Sequence, residues 1–87
     1  GLSAPYAGKT TFKHVKEYVE EVVLVEDDSV KKAMKILYKD YKIVSESAGA
    51  ACLAAILENK IDISGKKVVC VISGGNCSAK EMSTIIE

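Results

Sequence analysis

The residues best placed to do chemistry in this sequence are Ser73, Gly74, Gly75 and Asn76, which follow directly on five apolar residues, Val68 to Ile72. Such a run reads as a buried strand of a parallel sheet, and ligands bind at the carboxyl edge of that kind of sheet. A serine there offers a hydroxyl, and two glycines expose backbone and allow close approach. The same four residues also serve as an ordinary turn with a helix cap behind it, and the tetrapeptide alone weighs the two readings equally. A second segment, Ser45, Glu46, Ser47, Ala48, Gly49 and Ala50, puts a carboxylate and then small residues at the opening of a helix, just after the apolar pair Ile43 and Val44.

Other chemically suggestive residues carry less. Gly8, Lys9 and Thr10 spell the end of a phosphate-binding P-loop, but Ser3 stands where its first glycine belongs, and only Gly1 and Leu2 precede it where a buried strand is needed. Nucleotide hydrolysis is set aside on that ground. His14 lies beside lysines with no nucleophile or carboxylate at a supporting spacing, and reads as a solvated surface residue. Cys52, Cys70 and Cys77 form no CxxC pair and no zinc spacing with the single histidine, so no metal site is expected and the three behave as small hydrophobes.

Several elements must position the two chemical segments. Gly1 to Thr10, with the only proline, is a loop; Thr11 caps a helix whose apolar face is Phe12, Val15, Tyr18 and Val19. Val22 to Val25 reads as a buried strand. Asp27 or Asp28 then caps a helix with the stripe Val30, Ala33, Met34, Leu37, Tyr38 and Tyr41, the tyrosines serving as core or interface. Ile43 and Val44 make a short strand, and Ser45 or Ser47 caps a third helix running to about Asn59. That helix is small on nearly every side, which admits another backbone or a flat ligand. Ser78 and Glu81 have capping-box spacing and start a last helix. The expected fold class is α/β: a partial parallel sheet with flanking helices, Val22 to Val25 and Val68 to Ile72 lying parallel and the Asp28 helix packed on them through Met34 and Leu37.

Composition narrows the partners. With 87 residues, 48% apolar and 28% charged, the chain is one globular unit or part of one, without an internal boundary. Twelve basic and twelve acidic side chains cancel, so no single-sign field draws in nucleic acid or an anionic membrane. No apolar run reaches the length of a membrane span. The odd cysteine count fits a reduced, cytoplasmic setting.

Taken in order, the Gly-Leu start, the Thr-Phe helix opening, the stretch from Tyr18 to Asp28, the Glu-x-Ala-Gly-Ala box at Glu46 and the Ser-Gly-Gly-Asn turn at Ser73 resemble the C-terminal part of fold-type II pyridoxal-phosphate enzymes, the threonine dehydratases and serine racemases in particular. Each piece is common; their order and separations over the whole chain are specific. The resemblance implies a segment, residues 1–87, of the large catalytic domain of an enzyme that converts L-threonine or L-serine to a 2-oxo acid and ammonia. A serine racemase-type enzyme is one alternative, and a stand-alone α/β ligand-binding or interaction module is another.

The resemblance also assigns roles. The cofactor is pyridoxal 5'-phosphate; Ser73 meets its pyridine nitrogen, Gly74 and Gly75 keep the main chain clear of the ring, Asn76 redirects the chain through a left-handed conformation, and Glu46 lies near the ring. A neutral hydroxyl holds the pyridine less firmly as a cation than a carboxylate does, which weakens the electron sink and suits elimination. The family's cofactor-linking lysine, the serine opposite it and its glycine-rich phosphate cradle match nothing here. No catalytic residue is therefore expected within the chain, which is predicted inactive alone. Its partners are the rest of the catalytic domain, a small amino-acid substrate and, in the parent, further copies in a homo-oligomer.

Overall fold

The computed structural model describes residues 1–87 as four helices joined by extended and turn segments: α1 (Lys9–Tyr18), α2 (Asp27–Tyr41), α3 (Ser47–Leu57) and α4 (Ala79–Ile85). The core lies where α2 crosses α3. Val30, Ala33, Met34 and Leu37 from the α2 stripe meet Ala50 and Ala54 of α3, with Met82 of α4 closing one end. The small side chains of α3 allow this close helix pair, which is one of the uses the composition suggested. Tyr38 and Tyr41 leave the stripe at its end and are exposed rather than core.

The expected parallel sheet is absent; the chain contains no strand. Of 40 backbone hydrogen bonds, none joins Val22 to Val25 with Val68 to Ile72, or either run with Ile43 and Val44. Their β-branched residues hold the backbone extended, but a strand exists only through a hydrogen-bonded neighbour, and no such bond joins these runs. Leu24 is 84% exposed and Val69 89%, so water rather than a ladder satisfies their backbones. The Asp28 helix consequently packs on α3 through Met34 and Leu37, not on a sheet.

Helix starts were also shifted. Gly8, not Thr11, precedes α1, and none of the α1 residues is buried, so its apolar face lies open. Glu46, rather than Ser45 or Ser47, is the N-cap residue of α3, without a side-chain cap bond. At α4 the reading held: Ser78 Oγ accepts from the Glu81 backbone N–H at 3.1 Å. Lys42 ends α2 in the left-handed region at φ 59°, whereas Asn76, expected there, stays out of it because Gly74 already takes the positive φ of its turn.

Ten of 87 residues are buried, and the accessible surface is 7019 Å². A compact chain of 9.3 kDa exposes about 5,000 Å². The radius of gyration, 14.1 Å, likewise exceeds the roughly 12 Å of a compact chain of this length. The chain is laid open on the side of its extended runs.

Candidate functional site

Two distant segments close on each other at the amino end of α3. The Glu46 N–H donates to the Gly74 carbonyl at 3.3 Å, tying the helix start to the turn after Val68 to Ile72. Gly74 has φ 79°, a backbone angle that favours glycine, and the Glu46 carboxylate occupies the space a β-carbon there would take. A β-carbon at Gly49 would strike the Ser73 carbonyl oxygen and lie 3.2 Å from its carbon; one at Gly75 would sit 3.0 Å from the Val44 carbonyl. The turn thus lies directly on the first turn of α3, held by three glycines from two segments.

Ser73, Gly74 and Glu46, the three residues singled out by sequence, are brought together by this closure. Ser73 and Gly74 are exposed and Glu46 is half-buried at the end of α3 where free backbone N–H groups concentrate positive partial charge. Gly1 comes to the same place: a β-carbon on it would be 3.0 Å from Ala48 Cβ. Behind Glu46, Ser45 is fully buried and its Oγ has no hydrogen-bond partner. An unpaired buried hydroxyl costs about 1–3 kcal/mol.

Sequence reasoning missed the parts played by Gly49 and Ser45. A signal for Gly49 existed, since a glycine inside an alanine-rich helix gives up about 1 kcal/mol of helix propensity and needs a packing reason. Ser45 gave none, because a serine before a helix reads as a cap. The remaining candidates lie elsewhere. His14 is exposed on α1 and its Nδ1 is 2.8 Å from the Thr10 carbonyl. Gly8, Lys9 and Thr10 simply open α1.

Residues 1–74 match the family model described as pyridoxal-phosphate dependent enzyme. The chain belongs to that family. Among curated relatives of this pyridoxal-phosphate dependent family member, the L-threonine ammonia-lyase of Thermotoga maritima is 43% identical over 86 residues, covering 99% of this chain and 21% of the relative. The L-threonine ammonia-lyase of Geobacter sulfurreducens is 41% identical over 88 residues, covering all of this chain and 22% of that protein. The catabolic L-threonine dehydratase TdcB of Escherichia coli strain K12 is 38% identical over 87 residues, covering 98% of this chain and 26% of that protein. The chain therefore spans between a fifth and about a quarter of the relatives it matches.

The corner suits one edge of a flat aromatic cofactor. It offers an exposed serine beside a two-glycine turn and a carboxylate packed against that turn. Residues 44–49 and 73–76 include no lysine to link a cofactor aldehyde and no cationic group for a phosphate. No helix of the chain is long and apolar enough to cross a membrane.

Proposed function

We propose that this chain is the C-terminal segment of the catalytic domain of a pyridoxal-phosphate ammonia-lyase that converts L-threonine or L-serine to a 2-oxo acid and ammonia. The observation that carries the reading is the closed corner of Ser73, Gly74 and Glu46 within a chain about 40% identical, along its whole length, to L-threonine ammonia-lyases. Pyridoxal 5'-phosphate supplies the electron sink for the pair released at Cα when a bound amino acid loses its proton.

This chain's residues hold that ring and tune it. Ser73 Oγ–H would donate to the pyridine nitrogen without a formal charge, Gly74 lets the turn close on the Glu46 carboxylate, and that carboxylate would lie near the ring from the start of α3. A neutral donor leaves the sink moderate, which suits prompt loss of the β-hydroxyl over slower side reactions. The rest of the catalytic domain is the partner that covers the exposed runs around Leu24 and Val69 and excludes water from the corner; the excess accessible surface supports this. The three unbridged thiols support a reducing, cytoplasmic setting.

The test is to purify the full-length protein and supply L-threonine with and without added cofactor. Ammonia and a 2-oxo acid in equal amounts, dependent on pyridoxal 5'-phosphate, are expected. D-Serine from L-serine as the main product, or a colourless protein that takes up no cofactor, overturns the reading. Borohydride trapping with the cofactor on the 87-residue chain is expected to label no single lysine, and stoichiometric label on one lysine contradicts the proposal that the linking lysine lies elsewhere.

A further inference from the structure

Away from the corner just described, α3 and the Val68 to Ile72 run enclose a cavity of about 350 Å³ whose wall carries both Cys52 and Cys70, together with Ile56, Ile63 and Val68. Neither cysteine is bridged, and both are half-buried. Cys52 Sγ donates to the Val71 carbonyl at 3.4 Å, which places it against the residue next to Cys70. Both thiols line the same cavity, one from α3 and one from the run that follows it. No third histidine, cysteine or carboxylate joins them in a metal-binding group, so the chemistry available to the pair is that of a dithiol. Cys77 is engaged elsewhere, its Sγ lying 3.6 Å from a Glu81 carboxylate oxygen and 3.7 Å from the Ser78 carbonyl.

We propose that Cys52 and Cys70 form a modification site that closes to an intramolecular disulfide when a small organic disulfide enters the cavity. One thiol gives up its proton and its sulfur attacks the reagent's S–S bond, forming a mixed disulfide and releasing one reagent thiol. The second sulfur then attacks the protein-bound sulfur and releases the other. Two cysteine thiols are oxidised by two electrons, the reagent disulfide is reduced, and the two protons leave on the released thiols. The bridge fastens the Val68 to Ile72 run to α3 three residues ahead of Ser73, and so couples the thiol state to the Ser73–Gly75 turn. Burial first, and then the neighbouring Cys52, push the Cys70 thiol above its ordinary range. Closure is accordingly slow at neutral pH and speeds up as pH rises. The inference stands on thiol placement and is independent of the cofactor reading.

Loop statistics supply the discriminating control. Cys70 and Cys77 are seven residues apart and Cys52 and Cys70 eighteen, so an unfolded chain forms the Cys70–Cys77 bridge about fourfold more often than the Cys52–Cys70 bridge. The experiment treats the 87-residue chain with 2-hydroxyethyl disulfide, natively and in denaturing urea, and maps the linked peptides by mass spectrometry without reduction. The native chain is expected to reverse the ratio in favour of Cys52–Cys70. Cys52→Ser and Cys70→Ser are expected to retain the mixed adduct on the remaining thiol, while Cys77→Ser still closes the bridge. A native ratio equal to that in urea, or mixed adducts without a Cys52–Cys70 peptide, overturns the proposal, and the wild-type comparison decides the matter even if a variant fails to fold.

Discussion

Gly49→Ala sets two effects of known size against each other. Alanine is the better helix former by about 0.8–1.0 kcal/mol, so at a helical position with free space the substitution stabilises. At Gly49 the added carbon overlaps the Ser73 carbonyl oxygen and comes within 3.2 Å of its carbon and 3.3 Å of the Gly74 oxygen, all backbone atoms that cannot rotate away. Forcing a methyl group into such a contact costs roughly 1–3 kcal/mol, so the net expectation is a loss of up to about 2 kcal/mol. The turn must lift off α3, and the Glu46 N–H to Gly74 bond is the first to break. Two readouts on the full-length protein follow this: the denaturant midpoint, and amide hydrogen exchange at Glu46. A lower midpoint with faster exchange at Glu46 is expected. A midpoint raised by about 1 kcal/mol, with Glu46 still protected, would show that Gly49 is only a weak helix residue and refute the close approach.

Three further outcomes are expected. Ser45→Ala removes a fully buried hydroxyl without a partner, so the 87-residue chain should gain about 1 kcal/mol in urea unfolding, and a loss of that size means the hydroxyl is bonded. Ser78→Ala removes the cap on the Glu81 amide and should cost about 1 kcal/mol of stability with less helical circular dichroism, whereas an unchanged signal denies the cap a role. Cys70 and Cys77 are both held above the ordinary thiol value, by burial first and then by Cys52 and Glu81 respectively. Their folded pKa values exceed the unfolded ones, so their contribution is complete below the unfolded value and is lost as pH climbs through the folded value. The midpoint should therefore fall as pH rises above the ordinary thiol value of about 8.5, less so in a Cys70→Ser, Cys77→Ser double variant, and equal slopes in the two proteins refute it.

What was legible in the sequence were features written in local spacing. The α2 stripe predicted Val30, Ala33, Met34 and Leu37 as core, and the Ser78–Glu81 spacing predicted the α4 cap. The small residues of α3 announced a close contact, and the order of motifs pointed to the family that residues 1–74 match. The sheet was misread because a continuous apolar run specifies an extended backbone but not the neighbour that makes it a strand; Val68 to Ile72 has no such neighbour within these residues. The start of α3 was misplaced for a related reason. Ser45 is fully buried, and neither it nor Ser47 supplies a side-chain cap to the helix that begins at Ser47. Contacts between residues 28 positions apart, such as Gly74 over Glu46, have no local signature beyond the glycines themselves.

The central claim, that Ser73 serves the cofactor ring rather than the fold, is tested most directly by Ser73→Ala in the full-length protein. Ser73 is exposed at the end of its run, so little packing is lost and the stability cost should stay below about 0.5 kcal/mol. Losing one neutral hydrogen bond to the pyridine nitrogen should weaken cofactor binding by about 1 kcal/mol, roughly fivefold, with a larger fall in turnover if that bond strengthens as charge enters the ring. Turnover with L-threonine and the denaturant midpoint are measured on the same purified variant. The account predicts that turnover falls while the midpoint holds; turnover at the wild-type level with a lowered midpoint would contradict it.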